Sequence, residues 1–263
     1  MKRNVWIAMI TIVTICCVFG GTFHHIFRRG TGFLGRGEIE NMESGLEVFD
    51  TLRVDANLMD VTVTAGERFD LSCEYTERLE PVYEVKDGTL TIRQRTYWNQ
   101  RGSSNAYCSL TLSIPEQTSM DEIDVHTALG SIRLEGITAS TCGLQSNMGN
   151  CIVKKCIFDQ TDLMTNMGEI TVSDTDLGGT EVNNDMGEID IEDCTFDGLE
   201  IMASLGSVQV DAAHALDGYE IELDADLGSV HVNNRNEGTR YHQSGDAGKL
   251  SVDTSMGSIR LSY

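Results

Sequence analysis

The chain has 263 residues, enough for a sizeable core, and only two of them are proline. Its 41 acidic residues outweigh 19 basic ones, for a net charge of -22, which repels polyanions and excludes nucleic acid as a partner. The acid excess reads first as solubility and protection of sheet edges, ahead of a dedicated cation site.

Lys2 and Arg3 precede an almost uncharged run over residues 5–23, and His24, His25, Arg28 and Arg29 follow it. As a helix rising ~1.5 Å per residue, the run covers roughly 28 Å, close to the ~30 Å of bilayer hydrocarbon. Trp6 and Phe23 stand at its edges, where interfacial aromatics sit. The basic flanks and the position outside the repeats favour one N-terminal transmembrane helix over a buried core helix. With no small-x-small cleavage site after it, residues 1–29 read as an uncleaved signal-anchor. The expected localisation is the cell membrane, single-pass, with the C-terminal part extracellular. Residues 30–45 hold five glycines and few apolar side chains, the composition of a flexible linker.

From Leu46 the apolar period becomes two, as in Leu52 and Val54, Val61 and Val63, then Leu71, Cys73 and Tyr75. Asp87-Gly88 between two apolar runs predicts a tight hairpin. A polar stretch over residues 95–106 carries Tyr97 and Trp98, and a strand from Cys108 to Ile114 closes at Pro115. Residues 46–120 thus read as an irregular β region capping the solenoid that follows over 121–263.

That solenoid is marked by Gly130, Gly149, Gly168, Gly187, Gly206, Gly228 and Gly257, each after a Leu or Met, the first five spaced by 19 residues. A fixed period near twenty is the mark of stacked coils that bury their apolar faces against their neighbours. Each coil has two short strands. Two columns follow the glycines, Ile132, Cys151, Ile170, Ile189, Val208, Val230 and Ile259, then Leu134, Val153, Val172, Ile191, Val210, Val232 and Leu261. Before them run Val125, Leu144, Leu163, Val182 and Ile201, and a column Leu129, Met148, Met167, Met186, Leu205, Leu227 and Met256. All are expected to face inward, with the glycines turning the corners. The coil at Gly257 is expected to end the stack and to offer an edge for pairing.

These residues resemble a bacterial family labelled "putative adhesin", a membrane-anchored β-strand-repeat domain of unknown function. The resemblance runs from Leu46 to Tyr263 and rests on Phe49-Asp50-Thr51-Leu52-Arg53-Val54, Gly88-Thr89-Leu90-Thr91-Ile92, Leu112-Ser113-Ile114-Pro115 and the Gly-x-Ile-x-Val or Leu ladder. It implies an all-β solenoid at the bacterial cell envelope, with a role in adhesion or envelope stress and no catalytic residues.

The remaining chemistry is sparse. Cys73 and Cys108 fall on inward faces and could meet. Cys156 and Cys194 share a column two coils apart, roughly 9.6 Å at ~4.8 Å per coil, beyond disulfide reach. No spaced second pair supports zinc after Cys151-x4-Cys156. Glu169 stacks on Glu188 and Asp174 on Asp193, for which a solvated acidic face is preferred to calcium. Tyr97 and Trp98 are candidate partner contacts, although aromatics folded back onto the sheet are the plainer reading. No metal, cofactor or catalytic set is therefore assigned. The chain reads as a non-catalytic binding or adhesion module with a protein or glycan partner, or as a self-associating scaffold. A polysaccharide-acting enzyme comes behind both, since no nucleophile set or phosphate loop occurs.

Overall fold

The computed structural model describes residues 39–94 and 107–263. The expected anchor and Tyr97 with Trp98 lie outside the described residues. Among the described residues, no helix is long and apolar enough to cross a membrane.

The described residues form one compact unit. Its strands run β1 Ile39–Gly45, β2 Thr51–Leu58, β3 Asp60–Gly66, β4 Asp70–Thr76, β5 Pro81–Lys86, β6 Thr89–Gln94 and β7 Cys108–Pro115. Five coils of paired strands follow: β8 Ser119–Leu129 with β9 Ile132–Glu135, β10 Thr138–Met148 with β11 Cys151–Lys154, β12 Ile157–Met167 with β13 Ile170–Ser173, β14 Gly179–Met186 with β15 Ile189–Cys194, and β16 Gly198–Leu205 with β17 Val208–Ala212. The last are β18 Glu220–Leu227, β19 Val230–Val232, β20 Arg235–Gly238, β21 Arg240–Gln243, β22 Lys249–Met256 and β23 Ile259–Ser262.

They build two sheets, one ordered β1-β4-β7-β3-β9-β11-β13-β15-β17-β23-β19-β20, the other β21-β18-β22-β16-β14-β12-β10-β8-β2-β6-β5. Every coil gives one strand to each sheet, and successive coils pair in parallel with a register of 19 residues, Leu144 opposite Leu163 and Val153 opposite Val172. The apolar columns at Val125, Leu144 and Leu163, and at Ile132, Cys151 and Ile170, fill the space between the sheets and are buried.

Three expectations change. The linker expected over 30–45 contains strand β1, which pairs antiparallel with β4 from Ile39 to Gly45. The region 46–120 is no separate cap. β2 and β3 form a coil against β8 and β9, and β6 and β7 form the next one out. Among the described residues, only β1, β4 and β5 are antiparallel additions at that end. The third change concerns the coil of β22 and β23, expected to end the stack. It lies inside it, between β16/β17 on one side and β18/β19 on the other. Both ends are thus interleaved: the chain builds an inner coil, an outer coil and then continues inward at the first end, and an outer coil before the inner one at the second.

The glycines have a sharper task than turning a corner. Gly149, Gly168, Gly187 and Gly206 adopt φ of 155°, 154°, 144° and 149°. A Cβ on Gly168 would collide with the carbonyl oxygen of Gly149, and one on Gly187 with that of Gly168. Gly257 meets Gly206, and Gly228 meets Gly257, the spatial order of the interleaved coils. The carbonyls that the glycines present are taken up by a column of small polar residues in the core. Ser146 donates to the Gly130 carbonyl at 2.9 Å, Thr165 to Gly149 at 3.1 Å and Asn184 to Gly168 at 3.0 Å. At these three rungs the ladder is therefore two-sided, with backbone on one flank and a buried hydroxyl or amide donor on the other, although Asn184 Oδ1 is itself buried without a partner.

The opposite corner is solved differently. Gly136, Lys155, Asp174 and Asp193 stack with φ of 72°, 53°, 52° and 51°. In the residue after each of the last three, Cys156 Sγ, Thr175 Oγ1 and Cys194 Sγ donate to the carbonyl two residues earlier at 3.1, 2.8 and 3.1 Å. Cysteine here replaces threonine in one hydrogen-bonding role, a reason for these two thiols that needs no metal. The predicted Asp87-Gly88 hairpin is present, with both residues at positive φ (52° and 77°) and Lys86 paired to Thr89.

Candidate functional site

The column of Leu and Met before the glycines does not face inward. The strand's alternation would bury it, but the last two residues of each strand both turn out to solvent, while the Leu and Met stay paired between coils. Leu129, Met148, Met167, Met186, Leu205 and Met256 are 39, 44, 42, 44, 39 and 47 % exposed, and Leu227 is 69 % exposed. The pairing order places Leu58, Leu129, Met148, Met167, Met186, Leu205, Met256 and Leu227 on successive coils. Each rung shields the next, and Leu227, with its outer neighbour missing, is the barest. The result is an apolar ridge along one edge of an acidic molecule. A contiguous exposed apolar feature of this kind marks contact surfaces.

The ridge is flanked by polar side chains that bridge coils. Asn166 Nδ2 donates to Asn147 Oδ1 at 3.4 Å on one side; on the other, the Glu169 amide donates to Asn150 Oδ1 at 3.0 Å and the Ser131 amide to Asp60 Oδ1 at 2.8 Å. Asp185, Asp226, Glu169 and Glu188 stand in these flanking columns, which contain no Lys or Arg.

Beside it lies the outer face of the larger-stranded coils. One column there reads Arg53, Asp124, Gly143, Asp162, Glu181, Glu200, Ser251, Glu222. Cations stand mainly at its ends, Arg53 with Glu122 at 3.1 Å, Lys249 with Glu222 at 3.2 Å and Arg240 with Asp224 at 3.0 Å. Burial, then Glu181 on the next coil, pushes the Asp162 carboxyl up from its ordinary value. Its Oδ1 is buried without a hydrogen-bond partner, as is Oδ1 of Asp190, whose carboxyl is raised by burial and by Glu188 and Asp211. His126, which meets Asp124 at 3.3 Å, is raised by that hydrogen bond.

The stacked pairs Glu169 with Glu188 and Asp174 with Asp193 keep their places on adjacent coils, but among the described residues no group of three or more His, Cys, Asp or Glu converges on a point where a metal ion would sit. Cys73 and Cys108 come together as free thiols, Sγ to Sγ 3.9 Å, both buried. Burial raises the Cys151 thiol to about 12 and that of Cys194 to about 11, values that leave neither as a nucleophile at neutral pH. The insertion after Gly206 folds onto the stack. Tyr219 donates to the Phe196 carbonyl at 2.8 Å and meets His214 Nε2 at 3.1 Å, with the three rings packed together.

Sequence reasoning found the glycines and missed the ridge. The signal was the column two residues before it, Thr127, Ser146, Thr165, Asn184, Ala203, Ala225 and Thr254. Small residues at that position, polar at five of the seven rungs, mark the last buried rung.

The family model for Toastrack DUF4097 matches residues 49–263, and the chain belongs to this family. No curated protein matches it. Among solved structures, a "putative cell adhesion protein" from Clostridium sporogenes is 15% identical, with 86% of this chain and 99% of that one covered at a TM-score of 0.44. A "putative adhesin" from Bacteroides fragilis gives 13% identity, 88% and 100% coverage and a TM-score of 0.45. A "putative lipid binding protein" from Parabacteroides distasonis gives 19% identity, 87% and 97% coverage and a TM-score of 0.44.

Proposed function

We propose that this Toastrack-family chain is a non-catalytic binding or adhesion module of the bacterial cell envelope. It is held single-pass through residues 5–23, with the solenoid outside, and serves in adhesion or in the response to envelope stress. The observation that carries this reading is the ridge from Leu129 to Leu227, an exposed apolar row on a chain of net charge -22. Its partner is a protein or glycan surface reached sideways along the stack.

End-to-end polymerisation has less support, because the outermost strands β5 and β1 at one end and β21 and β20 at the other are antiparallel additions to the parallel ladder. They offer a second copy no continuation of the 19-residue register.

Photo-crosslinking in intact cells tests this. A benzophenone side chain at Asn166, beside the ridge, is expected to give adducts heavier than the chain, and one at Thr171 on the opposite sheet is not. Equal labelling from both positions, or from neither, overturns the contact surface. Protease added outside the cells is expected to cut within residues 95–106; protection in intact cells with cleavage after lysis overturns the orientation.

A further inference from the structure

Met148, Met167 and Met186 occupy three consecutive rungs of the ridge, opposite one another in the register and equally exposed. The rungs on either side, Leu129 and Leu205, show that the corner itself asks only for an apolar side chain. Three thioethers in a row add something leucine lacks: a soft sulfur donor that carries no charge and no proton. Soft sulfur ligands select monovalent copper over the hard and borderline cations.

The spacing suits such an ion. Parallel rungs stand ~4.8 Å apart. Two metal–sulfur bonds of ~2.3 Å meeting at one ion span roughly 4.6 Å. Thioethers on adjacent rungs therefore share an ion without any change in the backbone, and the unbranched methionine side chain lets the third rung close on it. The field is also right. Asp185, Glu169 and Glu188 flank these rungs, with Asn147, Asn150 and Asn166 completing the border and no Lys or Arg among them. The six described cysteines are buried, so they do not compete at this surface.

We propose that Met148, Met167 and Met186 form a surface site for monovalent copper, bound by thioether sulfur alone. The site stands whether or not the ridge also docks a partner. Met202 and Met164, on the neighbouring outward column, alternate with Asn183 and do not extend it.

The test uses the full chain in detergent micelles, with methionine methyl groups labelled with carbon-13 and Cu(I) titrated under a reductant. At about pH 5 proton competition weakens copper binding by the cysteine thiols, normally titrating near 8.5, whereas a thioether has no proton to lose. The methyl signals of Met148, Met167 and Met186, assigned through single Met→Leu variants, are expected to move together and saturate near one equivalent. The triple variant Met148→Leu, Met167→Leu, Met186→Leu keeps the ridge apolar, and its Cu(I) affinity at pH 5 is expected to fall at least tenfold. Shifts spread evenly over all methionines, an absence of shifts at these three, or unchanged affinity in the leucine variant overturns the site. The same variant retains crosslinking from Asn166 if the ridge serves as a contact surface, so failure of the copper site and failure of the proposed function are read separately.

Discussion

The middle of the stack and its two ends use the same coil but join it to its neighbours by different rules. From β8 to β17 each coil lies on the one before it in sequence, so sequence order and spatial order agree. At the ends they part: β22/β23 returns beneath β18/β19, and β2/β3 lies beneath β6/β7. Contacts in the middle are nearest-neighbour, as in other repeat proteins. Those at the ends bind segments distant in sequence, so an outer coil is held by a strand made later or earlier than itself. The middle is a tolerant ladder, and the ends are closures.

The largest test of that contrast is a pair of deletions. Removing residues 150–168 excises one whole repeat and joins Gly149 to Glu169 in register; the product is expected to keep a single cooperative thermal transition, lowered by only a few degrees. Removing residues 248–263 takes out an interior rung. Hydrogen exchange is then expected to show lost protection throughout β18 to β21 and a broadened melt. A cooperative, protected product from the second deletion would mean that β18/β19 docks directly on β16/β17 and that the closure is dispensable.

Substitution at the glycines comes next in size. Gly168→Ala puts a Cβ against the Gly149 carbonyl and is expected to cost about 3 kcal/mol or more in denaturant titration, in line with forced backbone contacts. Gly238, at φ 91° with open space around it, belongs to an end hairpin, and Gly238→Ala is expected to cost only about 1 kcal/mol. Similar costs at both positions would erase the distinction.

Smaller again is Thr165→Val, which removes the donor to the buried Gly149 carbonyl and is expected to cost about 1–2 kcal/mol. The smallest effect has the opposite sign. The Asp162 carboxyl titrates above its ordinary value in the folded chain, so the fold binds its proton more tightly than the unfolded chain does. Its contribution to stability therefore declines as pH rises from the unfolded value of 3.8 through the raised folded value, and stays unfavourable at neutral pH. Asp162→Asn is expected to raise the melting midpoint by a few degrees at pH 7, with the gain shrinking as pH falls toward 3.8. A gain that grows on acidification would contradict the burial of this carboxylate as its cause.

Much of this architecture was legible in the residues. The 19-residue step, the buried apolar columns of Val125, Ile132 and Leu134 with their equivalents and the Asp87-Gly88 turn all follow from periodicity and backbone preference, and each stands in the structure. The interleaving was not legible, because the coils at Gly206, Gly228 and Gly257 carry the same local pattern and stack equally well in any order. Only the longer spacings between them, 22 and 29 residues, hinted at chain that crosses a neighbour. The ridge was misread for a reason of geometry: alternation predicts the face of a residue inside a strand, and Leu129 and its equivalents sit where the strand stops. Strand β1 escaped notice because Ile39–Gly45 has almost no apolar pattern; its backbone supplies the pairing to β4.

The buried position of β22 and β23 also sets how the molecule yields to force. A tug on Tyr263 meets β23 held by β17 on one side and β19 on the other, and behind it β22 held by β16 and β18. Each residue drawn out must break hydrogen bonds along two seams, where a strand at a sheet edge would give up one. Peeling from this end is therefore stiff from the first residue, and a pulling machine, whether an optical trap or a processive unfoldase, is expected to stall there before it meets the regular coils.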